Sequence, residues 1–332
     1  MKVESLTEIA VEIIEKRGNF ALAEASRQIL QSRYDNGLVA EALKYYATAI
    51  FPKVLPIFPA LIYLSCKAVG GKPEQTKSVA VAMLLITASG DIHDDIIDKS
   101  TSKYARKTAF GKYGKDIALL AGDVLLIQGM TLLQKSSESL PVAQRTEIAD
   151  LVVQSMFELA EAEAFETCLW KKLNVTPEEC FEVIKRKGSI AELHCRIGGI
   201  IGCADEKALF NTREYGRLIG ILSTVKDEFL DLENFSELRS RAKNEMLPYP
   251  MVCAFQNRTL RKKIQPIIMN DNFLKKDLHF VTETILNSAE VKKLKNEFKE
   301  LGKKQMTENK LLNAGEMGEE AALLLQALAN EL

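Results

Sequence analysis

Proline is scarce and unevenly placed in this chain of 332 residues. None occurs between Pro73 and Pro141 or between Pro177 and Pro248, and apolar residues recur in both windows at intervals of three and four. Because proline breaks helices and this spacing lines one helical face with apolar side chains, both windows are predicted to be helical. The 9 Pro and 18 Gly residues are also too few for an all-β protein, which needs a turn every ~8–12 residues. We therefore predict an all-α fold.

Helix breakers divide the chain into helices joined by short loops. They lie at residues 70–73, 136–137, 174–177 and 248–250. No long stretch of Ser, Gly or Pro separates the helical windows, so residues 1–332 are predicted to form a single domain. The most apolar segment, residues 54–66, is shorter than the ~20 residues that a membrane span needs. We expect it to be a core helix with an irregular start.

Positive and negative charges almost cancel in this chain. The 44 Lys and Arg residues face 45 Asp and Glu residues, which gives a net charge of -1. Such a chain has no overall field that attracts a polyanion, so no nucleic-acid partner is expected and any phosphate site must be local. The N-terminal segment lacks the unbroken apolar stretch of a signal peptide, and the 6 cysteines include no C-x-x-C pair. We expect a cytoplasmic protein with no membrane span.

Two clusters of carboxylates share one spacing. The first consists of Asp94, Asp95 and Asp98, and the second consists of Asp227, Glu228 and Asp231. Because residues four apart lie on one face of a helix, each cluster brings mutually repelling carboxylates together. Oxygen ligands of this kind favour Mg²⁺, and incomplete ligation by the protein leaves positions for a substrate phosphate. A solvated acidic face is the alternative, but it fits poorly because each cluster follows an apolar run that should be buried.

These motifs and the segments around them carry a resemblance to a known family. Residues 94–98 and 227–231 match its two aspartate-rich motifs, and the other matching segments are residues 110–123, 184–188 and 213–220. The chain thus resembles the trans-isoprenyl diphosphate synthases, or polyprenyl synthetases, of the class I terpenoid fold. The resemblance covers residues 52–250, with residues 251–332 as C-terminal helices. It implies a single-domain helical bundle around a central cavity, and a homodimer.

The resemblance also implies roles for particular side chains. Several Mg²⁺ ions would be bound by Asp94, Asp95, Asp98, Asp227, Glu228 and Asp231. Those ions would bind the diphosphate of an allylic prenyl substrate. The other contacts to the substrate would come from Lys103, Lys187, Thr224 and Lys226, and the residues expected to act in catalysis are Asp94, Asp95, Asp98, Lys187, Asp227 and Asp231.

Two small residues precede the first motif. Ser89 and Gly90 stand where, in the family, larger side chains close the cavity floor and limit the length of the product. The resemblance therefore implies a substrate-binding cavity that is open to long prenyl chains. The alternative is that both residues only permit close packing of helices.

The sequence departs from the family where the second substrate, isopentenyl diphosphate, would bind. The family's basic segment is replaced by Val-Leu-Pro-Ile-Phe-Pro at residues 54–59, its histidine by Thr87, and its arginine pair by Lys103 and Tyr104. Each lost charge-assisted bond would weaken binding by ~1.5–3 kcal/mol. We therefore predict that this site is dismantled, although Lys53 or Arg106 could compensate.

Four polar side chains near the motifs are open to two interpretations each. His93 is expected to support the metal site by hydrogen bonding rather than to act as a base. Glu163 and Glu166 are either acids of the cavity or part of a helix surface. Asp91 either extends the metal site or caps a solvated turn.

The leading hypothesis is that this enzyme ionises an allylic prenyl diphosphate with Mg²⁺ and passes the prenyl group to an acceptor. That acceptor need not be isopentenyl diphosphate. One alternative is a single-substrate terpene cyclase or lyase, or a prenyl diphosphate hydrolase. Another is a non-catalytic subunit that binds prenyl diphosphate for a synthase. The six carboxylates of the two motifs argue against the last, since a subunit without activity has no need to keep them.

Overall fold

The computed structural model describes residues 5–31, 36–170, 174–270, 273–309 and 316–331. These residues are 84% helical, which confirms the all-α fold. The helices are α1 Leu6–Leu30, α2 Leu38–Tyr45, α3 Ile57–Ala68, α4 Lys77–Ile97, α5 Ala109–Tyr113, α6 Lys115–Ser136, α7 Val142–Trp170, α8 Pro177–Lys187, α9 Ser189–Ile201, α10 Glu206–Glu233, α11 Phe235–Asn244, α12 Tyr249–Ala254, α13 Arg258–Ile268, α14 Lys275–Leu286, α15 Ala289–Glu308 and α16 Glu316–Glu331. A π-helical turn, Tyr46–Ile50, and 3-10 turns at Phe51–Lys53 and Pro73–Thr76 complete the helical segments.

The predicted helix breakers fall at observed helix ends. Helix α3 ends at Ala68, just before Gly70 with its positive φ of 87°, and α6 ends at Ser136. Thr176 forms a capping box that starts α8 at Pro177, as expected of a threonine before a proline at the first helical position. These boundaries of the sequence analysis are confirmed.

A β-hairpin interrupts the first window that was predicted to be helical. Strand β1 (Ser102–Lys103) pairs antiparallel with strand β2 (Arg106–Lys107). The turn between them places Tyr104 and Ala105 in the left-handed region, with φ of 52° and 57°. No glycine, proline or asparagine marks this turn, so the usual sequence signals of a hairpin were missing.

Contacts between backbone segments divide the chain into two compact units. The first unit comprises the described residues of 1–150, 194–212 and 314–320, and the second comprises those of 151–193, 213–313 and 321–332. The single domain predicted for residues 1–332 remains a prediction.

In the first unit, α4 packs along α6. Residues Leu85 and Ala88 of α4 share a buried apolar cluster with Ala121 and Leu125 of α6. Gly129 permits the close approach, since a Cβ there would lie 2.7 Å from Ile86. Because α4 is buried along most of its length, the first acidic motif is carried at the end of a rigid helix.

In the second unit, the middle of α10 is buried. Its residues Ile219, Leu222 and Val225 all belong to the core. The hydroxyl of Tyr215, earlier on the same helix, donates a hydrogen bond of 3.0 Å to the carbonyl of Ala321 in α16. The second acidic motif follows this buried stretch directly and is therefore held on a fixed helix.

Candidate active site

The first acidic motif lies at the C-terminal end of α4. Asp94 and Asp95 belong to the last turn, and Asp98 is the residue that follows the helix. Carboxylate oxygens of Asp94 and Asp98 lie within 4.8 Å of each other. A helix C-terminus carries partial negative charge, which disfavours carboxylates and favours cations. The position and the oxygen ligands together suit a divalent cation such as Mg²⁺.

Asp95 of the first motif faces a cation of the protein. It is only 6% exposed, and its Oδ2 lies 3.0 Å from Nζ of Lys103 on β1. Burial raises the pKa of Asp95 to about 7, although the charge of Lys103 acts in the opposite direction. Asp95 is thus paired with a lysine of the same unit.

Asp91 lies inside α4, so the role of a turn cap considered for it in the sequence analysis is wrong. Its Oδ2 accepts hydrogen bonds from the hydroxyl of Tyr46, at 2.6 Å, and from Nζ of Lys103, at 2.5 Å. Two donors, one of them an ammonium group, therefore share this oxygen, and an extension of the metal site by Asp91 stays a prediction. Sequence reasoning missed Tyr46, because it is 45 residues away in the chain.

His93 is directed toward α6. Its Nε2 lies 3.3 Å from Oδ1 of Asp123, and Gly122 leaves room for the ring, since a Cβ at Gly122 would lie 2.4 Å from Nε2. The imidazole therefore contacts a carboxylate of the neighbouring helix. Its supporting role at a metal site stays a prediction.

The second acidic motif lies near the end of α10, and an arginine binds two of its members. Arg241 of α11 donates to Oε1 of Glu228 at 2.8 Å and to Oδ2 of Asp231 at 2.7 Å. The other oxygen of Glu228 accepts the backbone N–H of Tyr249 at 2.7 Å. Both oxygens of Glu228 are thus engaged by protein donors. Burial, followed by the charge of Asp231, raises the pKa of Asp227 to about 6.

A network of ion pairs extends from Arg241 to Lys187. Glu166 lies 3.7 Å from Arg241 and 2.5 Å from Nζ of Lys187, which also lies 3.0 Å from Glu163. The side chains of Glu163 and Glu166 are only 17% and 14% exposed, so the helix-surface alternative for them is wrong. Arg241 is buried, but nothing in the sequence distinguishes it from Arg239 or the other basic residues of α11.

Two other predicted substrate contacts are engaged within the second unit. Lys226 forms an ion pair with Glu331 of α16. The hydroxyl of Thr224 donates to the carbonyl of Gly220, one helical turn earlier, at 2.9 Å. Their roles in substrate binding stay predictions.

Three residues that the sequence analysis placed at the altered isopentenyl diphosphate site have packing or backbone contacts within the first unit. A Cβ at Gly18 of α1 would lie 2.4 Å from the carbonyl oxygen of Pro56, so this backbone packs directly on α1. Pro59 is buried. The hydroxyl of Thr87 donates to the carbonyl of Leu84 at 3.0 Å. These residues fill apolar space or satisfy the backbone, and none of them offers a cation.

The residues at the family's arginine pair, and the two basic residues considered as substitutes, differ in their surroundings. Lys103 is paired with two carboxylates, and Tyr104 is exposed at the tip of the hairpin. Lys53 and Arg106 are both exposed to solvent. The compensation considered for Lys53 and Arg106 therefore stays open, while Lys103 already carries strong ionic contacts.

Space remains beside one of the two small residues before the first motif. Ser89 is buried, and a Cβ added to Gly90 would meet nothing within 4 Å. Gly122 and Gly129 on α6 differ, because a Cβ at either would overlap a neighbouring side chain. Close helix packing therefore does not explain Gly90.

Sequence comparison identifies the family. The family described as polyprenyl synthetase matches residues 41–285, well over half of the chain. A short chain isoprenyl diphosphate synthase of Methanothermobacter thermautotrophicus is 31% identical over 182 residues, which cover 54% of this chain and 55% of that protein. A geranylgeranyl diphosphate synthase of Methanosarcina mazei is 29% identical over 190 residues, covering 57% and 58%. The matched region spans little more than half the length of these curated relatives.

Solved structures resemble the whole chain. Geranylgeranyl pyrophosphate synthetase from Pyrococcus horikoshii superimposes with a TM-score of 0.80 at 23% identity, covering 97% of this chain and 98% of that one. A polyprenyl synthetase from Streptomyces coelicolor gives a TM-score of 0.79 at 19% identity, covering 96% and 98%. At these identities the superpositions show a shared fold. With two aspartate-rich motifs on buried helices and a family match across both of them, this chain belongs to the polyprenyl synthetase family.

Proposed function

We propose that this protein is a Mg²⁺-dependent prenyltransferase that ionises an allylic prenyl diphosphate and transfers the prenyl group to an acceptor. The observation that carries the proposal is the pair of carboxylates, Asp94 and Asp98, within 4.8 Å of each other at the negative end of a buried helix. Family membership and the names of the relatives, which are short-chain isoprenyl and geranylgeranyl diphosphate synthases, support it.

The reaction requires charge stabilisation rather than a nucleophile of the protein. The allylic C–O bond breaks so that both electrons leave with the diphosphate oxygen. The acceptor then donates an electron pair to the allylic cation and loses a proton, which restores its charge. Bound Mg²⁺ would neutralise the leaving diphosphate. Lys103 and Lys187 would add positive charge at fixed positions. Their carboxylate partners, Asp95 and Glu166 among them, hold both ammonium groups in place.

We propose two different roles for the six motif carboxylates. Asp94, Asp98 and Asp227 are our proposed direct ligands of Mg²⁺. We propose that the other three carboxylates support these ligands, either by holding a positively charged side chain of the protein or by contacting the metal through bound water. They are Asp95, Glu228 and Asp231. This division rests on Lys103 beside Asp95 and on Arg241, which donates to both Glu228 and Asp231.

The acceptor is proposed to differ from isopentenyl diphosphate. Support comes from Pro56 against α1 and from Thr87, whose hydroxyl is bonded to its own helix. We expect no binding of isopentenyl diphosphate at micromolar concentration when a non-ionisable allylic analogue and Mg²⁺ are already bound. Titration calorimetry measures this directly. Micromolar binding would mean that Lys53, Arg106 or another cation has rebuilt the site.

Product identification separates the enzymatic proposal from its alternatives. Purified protein is incubated with geranyl, farnesyl and geranylgeranyl diphosphates, with and without isopentenyl diphosphate, and the products are identified by mass spectrometry. Transfer requires a second substrate, whereas a cyclase, lyase or hydrolase converts the allylic diphosphate alone. A non-catalytic subunit leaves every substrate unchanged.

A homodimer is the proposed assembly, supported by an exposed apolar face on α6. Leu120, Ile127 and Met130 recur on one side of this helix and are all exposed in the first unit. By length and composition, the same helix could also cross a membrane, although 33% of its most apolar stretch is buried within the protein. The bent pair of helical segments Leu38–Lys53 and Ile57–Ala68, taken as one segment, is also long and apolar enough. A second copy would cover this face and remove it from water.

Charge on this face should prevent the association. We expect Ile127→Lys to convert a dimer into a monomer at micromolar concentration, because a lysine would have to be buried without a partner. Light scattering after gel filtration gives the mass. Leu301→Lys, at another exposed apolar position, is the control that should remain dimeric. A dimeric Ile127→Lys variant would show that the interface lies elsewhere.

A further inference from the structure

The hairpin that follows the first motif has a backbone that needs support. Its two turn residues, Tyr104 and Ala105, both have positive φ, a conformation that non-glycine residues adopt only when their surroundings enforce it. The hairpin is only two residue pairs long, Ser102 with Lys107 and Lys103 with Arg106. Contacts from outside must therefore hold it in place.

Two adjacent tyrosines supply such contacts. The hydroxyl of Tyr45 donates to the carbonyl of Lys107 at 2.6 Å. Tyr46, the first residue of the π-helical turn, donates to Asp91, and the same carboxylate oxygen accepts Nζ of Lys103. Tyr45 thus binds β2 directly, whereas Tyr46 binds β1 through a carboxylate of α4.

The position of Tyr46 is fixed by packing. Its side chain is 1% exposed, and its ring meets Phe51 edge to face with centroids 5.0 Å apart. A buried hydroxyl requires a partner, and Asp91 provides it. Because the ring cannot move, its hydrogen bond fixes one oxygen of Asp91. That oxygen in turn fixes the ammonium group of Lys103.

The fixed ammonium lies at the first motif. Nζ of Lys103 is 2.5 Å from Asp91 and 3.0 Å from Asp95, and the side chain of Lys103 is largely buried. A free lysine side chain would sample many rotamers and lose that freedom on binding an anion. In this protein the side chain of Lys103 has already lost that rotamer freedom on folding, so binding an anion costs less entropy.

We propose that Asp91 is a positioning residue that, held by Tyr46, keeps Lys103 and its hairpin at the first motif before substrate binds. The proposal rests on the proposed function, because Lys103 is expected to meet the substrate diphosphate. Asp91 itself touches neither metal nor substrate in this account. Its effect is on the binding of the diphosphate rather than on the bond that breaks.

Three variants test the positioning role. We expect Asp91→Leu to raise the KM for an allylic diphosphate about tenfold with little change in kcat, since a charge-assisted contact to the lysine is lost. Asp91→Asn keeps an oxygen that can accept from both donors, so it should restore most of the wild-type KM. Tyr46→Phe should raise KM about threefold, and its effect should vanish in the presence of Asp91→Leu if it acts through Asp91. Tyr113→Phe, which removes a hydroxyl bonded to Glu41, is the control.

Hydrogen exchange gives a readout that does not depend on activity. In the metal-free protein, amides of residues 102–107 should exchange faster in Asp91→Leu than in wild type, while Asp91→Asn stays close to wild type. Equal exchange in all three proteins would overturn the positioning role. This conclusion would hold whether or not the wild-type protein turns over a prenyl diphosphate. Faster exchange in a protein without such activity would instead refute only the proposed function.

Two kinetic outcomes would also overturn the proposal. If Asp91→Leu and Asp91→Asn both lower KM, Asp91 acts only by repelling the diphosphate. If both raise the Mg²⁺ concentration needed for half-maximal rate and leave KM unchanged, Asp91 is a metal ligand. The proposal requires the leucine and asparagine variants to differ from each other.

Discussion

Replacement of Asp94 by alanine should lower the rate of diphosphate release by a factor of ~10² or more. Asp94 and Asp98 are the two motif carboxylates that the structure brings within 4.8 Å at the end of α4. A ligand that holds Mg²⁺ against the leaving diphosphate acts mainly as negative charge develops, so its loss should reduce kcat more than it raises KM. Diphosphate release is measured with a coupled phosphate assay under saturating allylic substrate.

The control for Asp94→Ala is Asp116→Ala, at an exposed carboxylate in the first turn of α6. It should leave both the rate and the Mg²⁺ requirement unchanged. Calorimetric titration with Mg²⁺ in the presence of an allylic analogue should show weaker Mg²⁺ binding by Asp94→Ala than by wild type, and unchanged Mg²⁺ binding by Asp116→Ala. Unchanged turnover by Asp94→Ala, or full activity of the wild-type protein in excess chelator, would refute the metal assignment.

The enzyme should prefer farnesyl or longer diphosphates over geranyl diphosphate by well over tenfold in kcat/KM. Each buried CH₂ group contributes ~0.8 kcal/mol, and Gly90 has open space where a side chain would stand. With a rise of 1.5 Å per residue, Gly90 lies ~6 Å and Ser89 ~7.5 Å along α4 from Asp94. Ser89→Phe and Gly90→Phe should each reverse the preference and spare the short substrate. Competition between the two substrates in one reaction measures the ratio.

A change in packing alone must be distinguished from a change in cavity length. Gly129→Ala places a methyl group against Ile86 at the contact of α4 with α6, so it should lower the melting temperature without altering the substrate preference. A wild-type enzyme that prefers geranyl diphosphate would contradict the open floor. Unchanged selectivity in both phenylalanine variants would show that the cavity is limited elsewhere.

The sequence was sufficient for the helices and for the two acidic motifs. Proline-free windows and apolar spacing are local properties, and the boundaries at Ser136 and Pro177 agree with the structure. The spacing of Asp94 and Asp98 likewise predicted that their carboxylates would lie close together, as they do. Such predictions succeed because a helix fixes the geometry of residues three and four apart.

The partners of those carboxylates could not be predicted in the same way. Arg241 reaches Glu228 from another helix, and Tyr46 reaches Asp91 across 45 positions of sequence. The hairpin at residues 102–107 was missed because Tyr104 occupies a left-handed turn position without the usual glycine or asparagine. Tertiary contacts enforce these features, so they cannot be predicted from the spacing of residues that are near one another in the sequence.

The most direct test of the account follows two labels in one reaction. Wild-type protein is incubated with Mg²⁺, farnesyl diphosphate that carries ³²P in its diphosphate, and isopentenyl diphosphate that carries ¹⁴C. With an intact ionising site and an altered acceptor site, ³²P-diphosphate should be released only with Mg²⁺, and no ¹⁴C should enter a longer prenyl product. Incorporation of ¹⁴C would contradict the altered acceptor site. Absence of ³²P-diphosphate release from farnesyl diphosphate and from a matching geranylgeranyl substrate would contradict the ionising function itself.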